Sequence, residues 1–176
     1  MPPLAYLLTW TTYGTWLRGD PRGSVGFDNR WGAPYAAPDA AQVARDTARL
    51  AAPPLVLGTE ARSVVDSAVR DVCGHRGWTL HAVNARSNHI HVVVAGPDKP
   101  EKIMTDLKAW STRRLREAGA VGAGRRVWTK HGSTRHLFDA ADVERAVDYV
   151  VRMQDMKGAP GHSDRVPENG RPGADA

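Results

Sequence analysis

The stretch Ser-Asn-His-Ile-His-Val-Val-Val-Ala-Gly, residues 87–96, sets two imidazoles either side of one apolar residue at the head of a valine run. In an extended strand, alternate side chains share a face. His89 and His91 then point the same way, with Cα atoms about 6.5–7 Å apart. Ile90, Val92 and Val94 point the other way, as a core face does. Two imidazoles on one face can hold one divalent cation. Histidines on a strand are more often half-exposed packing, so the rest of the chain has to supply the other parts of a site.

Tyr149 is the next candidate. It lies within Ala-Ala-Asp-Val-Glu-Arg-Ala-Val-Asp-Tyr-Val-Val-Arg-Met-Gln, residues 140–154, among Arg145, Asp148 and Arg152. A tyrosine beside a core stripe usually buries its ring and keeps its hydroxyl wet. Downstream of a His-hydrophobic-His strand and a basic segment, it has a second reading, as the nucleophile of DNA strand cleavage without water. A phenol of pKa about 10 attacks poorly at neutral pH. A metal held by two histidines would polarise the phosphate and stabilise the charge that develops there. The tyrosine would become covalently linked to phosphorus and a 3′-hydroxyl would leave. Tyr13 and Tyr35 are rival nucleophiles with nothing in the sequence to aim them, and Tyr6 reads as strand packing.

Charge points in the same direction. The 176-residue chain has net charge +5 and a pI of about 9.7. Between Glu101 and Arg135 nine Lys/Arg stand against three acids, an excess of 9 − 3 = +6. Such a localised surface suits a phosphate backbone; the alternative is a solvated helix face. The candidate DNA contacts are Lys108, Arg113, Arg116, Arg125, Arg126, Lys130 and Arg135. Trp16 and Trp31, in an early Gly/Pro-rich loop, either stack on unpaired bases or fold over their own core. His75, His81, His131, His136 and His162 form no spaced cluster, although His131 and His136 lie in the basic segment.

The elements that must position these residues follow from pattern. The β-rich run Ala5–Gly14 predicts a first strand, and residues 15–34 predict a long loop. Asp39–Leu50 predicts a short helix. Glu60–His75 predicts a longer one, with Val64, Val65, Ala68, Val69 and Val72 at helical spacing and Gly77 ending it. Residues 78–95 predict two strands around a turn at 84–88, with the histidines opening the second. Pro100–Ala118 predicts a helix with Ile103, Leu107 and Trp110 inward and Lys108, Thr112 and Arg116 outward. A short strand near 135–138 precedes a last helix capped by Asp139, with Val143, Val147 and Val150 as its apolar stripe.

The resulting order is β, α, α, β, β, α, β, α, an α+β layered domain with a mainly antiparallel sheet. One domain is expected over residues 1–157, with helices on one face of the sheet, and a disordered Gly/Pro/charge-rich tail over 158–176. Cys73 is the one cysteine, which excludes an internal disulfide and a Cys-rich zinc site. The N-terminal apolar run is too short to span a membrane and has no cleavage signal, so a reducing cytoplasm is the expected compartment.

His89-Ile90-His91 followed by a helix-borne tyrosine resembles the HUH single-tyrosine transposases, which include insertion-sequence transposases and REP-associated relatives. Residues 8–23, "LTWTTYGTWLRGDPRG", look like the opening of a REP-associated-like subgroup. Residues 127–139, "VWTKHGSTRHLFD", look like its segment before the tyrosine helix. The resemblance runs from about Ala5 to Gln154. It implies a ferredoxin-like core, single-stranded or hairpin DNA as partner, usually a homodimer, and Mg²⁺ or Mn²⁺ as cofactor. It also implies His89 and His91 as metal ligands and Tyr149, on a C-terminal helix, as nucleophile of a metal-dependent single-strand endonuclease and strand transferase.

The family often places a Gln or Asn ligand four residues after the tyrosine. Here that place holds Met153, a poor ligand for a hard cation. Gln154 follows it. On a regular helix a five-residue step lies about 140° round from Tyr149, against about 40° for four. Gln154 therefore serves as third ligand only if the helix bulges or ends there; water or an acid is the alternative. Two rival functions remain. One is a non-cleaving DNA hairpin-binding protein derived from a transposase. The other is a histidine-triad-like nucleotide hydrolase, in which the third alternate place would be a histidine; here it is Val93.

Overall fold

β1 (Ala5–Thr11) lies at the centre of the chain's architecture because two strands pair with it. β3 (His89–Ala95) runs antiparallel on one side and β4 (Ser133–Leu137) antiparallel on the other. β2 (Thr79–Ala85) pairs with the outer side of β3, giving a four-stranded antiparallel sheet in the order β2-β3-β1-β4. This computed structural model describes residues 2–22 and 36–153. Trp31, Tyr35, Gln154, His162 and the expected tail at 158–176 therefore lie outside the described residues.

The helices are α1 (Ala40–Ala48), α2 (Thr59–Arg76), α3 (Pro100–Glu117) and α4 (Ala140–Asp148). The element order is the expected one, and the split β-α-β arrangement is ferredoxin-like. Local chemistry sets the ends. The side chains of Asp39 and Asp139 accept from the backbone N–H of Gln42 and Asp142 at 2.8 and 2.7 Å. Pro100 opens α3, where a missing N–H costs nothing. Gly77 ends α2 at φ 68°, a left-handed conformation open to glycine.

Two apolar clusters fill the two sides of the sheet. Leu8, Trp10, Ile90, Val92 and Val94 face α2 and α3, where Val65, Val69, Val72, Ile103, Leu107 and Leu115 meet them. Burying a side chain of this size is worth about 1.5–3 kcal/mol, so this is the larger source of stability. Cys73 sits within it, its thiol pushed up to about 11 by burial. On the other side Ala5, Leu7, Ala82, Val93 and Leu137 meet Ala146 and Val150. The expectation of helices on one face thus holds for α2 and α3 and is corrected for α4. α4 presents Val143, Ala146 and Val147 to the second face, because that face carries its own short apolar stripe.

Candidate active site

The second face of the sheet is where the histidines point. His89 pairs with Thr11 and His91 with Thr9 across β1. Their ring centroids are 4.7 Å apart. Each ring is oriented through Nδ1: His89 bonds Asn88 Oδ1 at 2.7 Å and His91 bonds Thr9 Oγ1 at 2.7 Å. An Nδ1–H donating to the Asn88 carbonyl oxygen makes Nε2 the lone-pair nitrogen of His89. In the same tautomer, His91 would donate to the Thr9 hydroxyl and carry its lone pair on Nε2. Two imidazoles fixed in this way, on one face, are a donor set that fits a divalent cation. Among the described residues, no Asp, Glu, Cys or further His joins them to make a group of three.

Tyr149 comes to the same place from the other layer. Its ring meets His91 with centroids 5.6 Å apart and planes at 82°. At Tyr149 the chain leaves α4 and makes one turn of π-helix, Tyr149–Met153. The sequence admitted Gln154 as a third ligand only if the helix bulged or ended there. A wider turn brings the fifth residue, rather than the fourth, back beneath the first. Gln154 itself lies beyond the described residues.

The turn is tied down by β2. Asn84 Nδ2 donates to the Val150 carbonyl at 2.8 Å, and Val150 is fully buried. Sequence reading missed Asn84. It lies opposite His91 because the β2–β3 register shifts between Leu80 and Ala82. Without that extra residue, Asn84 would point to the α2–α3 side. An irregularity of this kind leaves no pattern in the sequence.

Among the described residues, the two other tyrosines are engaged elsewhere. Tyr13 is 9% exposed and its hydroxyl accepts from the Ala51 N–H at 2.9 Å. Tyr6 packs edge-on to His136, with centroids 5.3 Å apart. Trp16 stands at the rim of the site, 6.2 Å from the His89 ring, with the Arg22 guanidinium 4.7 Å over its own ring. Val93, the third place in a histidine-triad reading, is fully buried under α4.

The basic residues divide into groups. Lys108, Arg113, Arg116 and Lys130 line one groove of about 820 Å³ between α3 and the 128–134 segment, on the α2–α3 side of the sheet. Within it Lys108 is turned inward. Its Nζ donates to the carbonyls of Thr129 and His131, each at 3.1 Å, and burial pulls its pKa down to about 8. Arg113 pairs with Glu117 at 2.8 Å in full view of solvent. A pair this exposed is screened by water and contributes little, so an arriving phosphate can displace it.

Arg116 and the cations outside the groove are also anchored to the protein. Arg116 donates to the Arg125 carbonyl at 3.4 Å, and Arg125 to the Pro53 carbonyl at 3.0 Å. Arg126 stacks 5.6 Å over the Tyr13 ring. Arg135 projects to the histidine side, where it pairs with Asp142 of α4 at 3.5 Å.

An antiparallel ferredoxin-like sheet bearing a same-face histidine pair, met by a tyrosine from the last helix, is the arrangement expected of a single-tyrosine transposase. Residues 55–152 match the family described as Transposase IS200 like, and the chain belongs to that family. Among solved structures it is similar to a candidate transposase from Deinococcus radiodurans R1, with 15% identity and a TM-score of 0.50, covering 82% of this chain and 86% of that one. It is also similar to a REP-associated tyrosine transposase bound to a REP hairpin, with 14% identity and a TM-score of 0.53, covering 90% of this chain and 70% of that one. At these identities the likeness is one of fold. No curated protein matches. Among the described residues, no helix is long and apolar enough to cross a membrane.

Proposed function

We propose that this transposase-family chain nicks and rejoins single-stranded DNA at hairpin-associated sites, with Tyr149 as the nucleophile and His89 and His91 holding Mg²⁺ or Mn²⁺. The observation that carries the proposal is the convergence of three rings from two layers, with His91 4.7 Å from His89 and 5.6 Å from Tyr149. The solved REP-associated relative, bound to a REP hairpin, supports the choice of substrate.

The chemistry balances simply. Tyr149 Oη forms a bond to phosphorus and the P–O3′ bond breaks. The phenolic proton passes to water and the leaving 3′ oxygen takes a proton to become a hydroxyl. Rejoining is the reverse, with a 3′-hydroxyl attacking the 5′-phosphotyrosine. A divalent cation held by His89 and His91 would supply Lewis acidity to the scissile phosphate. The chain's own residues do the rest. Asn88 and Thr9 hold the two rings by Nδ1. The π-turn aims the phenol, and Arg113, Arg116 and Lys130 hold the phosphates of the flanking DNA. We further propose that Gln154 enters the coordination sphere through the π-turn and that the active unit is a homodimer.

The test is a denaturing gel after incubation with a labelled hairpin carrying single-stranded flanks and Mn²⁺. Wild type should give a covalent protein–DNA band and a shortened strand. Tyr149→Phe keeps the ring and loses the hydroxyl, so DNA binding should survive while adduct falls by about 10³-fold or more. An undiminished adduct in Tyr149→Phe overturns the assignment. Binding without any adduct in wild type would favour the non-cleaving hairpin-binding reading.

A further inference from the structure

We propose that Asn84 is a positioning residue for the nucleophile: through its side-chain amide, β2 holds the π-turn that carries Tyr149 against the histidine strand. This rests on the reading of Tyr149 as nucleophile.

Two features of the structure converge on Asn84, a hydrogen bond and a strand register. Its Nδ2 donates to the Val150 carbonyl at 2.8 Å, one residue beyond Tyr149. It is the cross-strand partner of His91, the histidine whose ring Tyr149 meets. It reaches that face through the register shift between Leu80 and Ala82. One side chain therefore spans from the strand that presents the imidazole to the backbone that presents the phenol.

The carbonyl it engages is a particular one. A π-helix is an infrequent turn that persists where surrounding contacts determine it. Several contacts hold this turn, among them the Tyr149 ring against His91. Val150 inserts between Ala82, Val93 and Ala146, and the Asn84 amide grips the Val150 carbonyl. Apolar packing fixes depth but slides easily along and around the helix axis. A hydrogen bond to the backbone fixes rotation, which decides where the phenol at 149 points. A displacement of about 1 Å at a reacting group costs on the order of 10²-fold in rate. The Asn84 bond can therefore matter more to the reaction than to stability, where one such bond contributes about 0.5–1.5 kcal/mol.

The test compares Asn84→Ala, Asn84→Asp and Asn84→Gln with wild type in full-length protein. Asn84→Asp is nearly isosteric but sets an acceptor against a carbonyl; Asn84→Gln keeps the amide on a longer arm. In single-turnover assays with saturating Mn²⁺ and hairpin DNA, the adduct rate should fall about 10–100-fold in Asn84→Ala and Asn84→Asp and recover in part in Asn84→Gln. Kd for the hairpin and for Mn²⁺ should stay within about twofold of wild type. A purely structural bond would lower the unfolding midpoint and leave the rate of the folded fraction unchanged, which would overturn the proposal.

A second readout needs no turnover. The ¹⁹F resonance of 3-fluorotyrosine placed at 149 should move toward its solvent-exposed position in Asn84→Asp; an unmoved resonance also overturns it. If wild type forms no adduct at all, the reading of Tyr149 fails, while the ¹⁹F shift still decides whether Asn84 holds the turn.

Discussion

The ring of Tyr149 stands edge-on to the ring of His91, with centroids 5.6 Å apart and planes at 82°. They are 149 − 91 = 58 positions apart in the chain and come from different layers of the fold. The contact joins the strand face that can hold a cation to the helix that can deliver a nucleophile. The distances around it say which substitutions should act on chemistry and which on the fold.

His89 and His91 should not behave alike. His89 is half-exposed, whereas His91 is 6% exposed and hydrogen-bonded to Thr9. His89→Ala should abolish Mn²⁺-dependent cleavage and leave the unfolding midpoint nearly unchanged. His91→Ala should abolish cleavage and also cost about 1–3 kcal/mol, by emptying packed space and stranding the Thr9 hydroxyl. Calorimetric Mn²⁺ titration and denaturant unfolding of both variants check this. Unchanged Mn²⁺ affinity in the double variant would remove the metal site.

Lys108 should act through stability rather than through DNA. Its folded pKa of about 8 lies below the usual 10.5, and the cause is burial. Between those values the unfolded chain binds the extra proton and the folded chain does not. Stability therefore rises as pH climbs from about 8 to 10.5, with no contribution to the slope below that window. Compared with Lys108→Met, wild type should gain stability across the window in denaturant titrations. Parallel curves for the two proteins would place the ammonium in water.

Salt dependence should locate the DNA surface. Arg113, Arg116 and Lys130 line the groove beside α3. Replacing all three with Ala should reduce the slope of log affinity against log salt by about 2, at about 0.7 per phosphate on a single strand. Fluorescence anisotropy between low and moderate salt reads this directly. A slope identical to wild type would put the binding surface elsewhere.

The π-turn makes a prediction about its own end. Gln154→Ala should lower metal-dependent cleavage by about tenfold or more, in the range typical of groups that hold or tune a metal. Adding Met153→Gln should fail to restore it, because a π-turn beginning at Tyr149 returns the fifth residue rather than the fourth. Rescue by Met153→Gln would mean that a regular α-helix carries the reaction. Full activity in Gln154→Ala would leave water or DNA oxygens as the remaining ligands.

Much of the fold was legible in the sequence because its signals are local. The period-3.6 stripe of Val65, Val69 and Val72, the alternation through Ile90, Val92 and Val94, the stop at Gly77 and the cap at Asp139 each report on a few neighbouring residues. The same alternation placed His89 and His91 on one face, and the pattern of the last helix put Tyr149 beside an apolar stripe. Tertiary structure decided what local signals do not encode. The register shift before Ala82 turned Asn84 toward the site, and a one-residue slip reverses every later side chain without altering composition. Lys108 read as an outward cation, yet it points inward because two loop carbonyls lie within its reach. α4 crossed to the far face because a second apolar stripe was waiting there, and only that packing brings the phenol of residue 149 to the imidazole of residue 91.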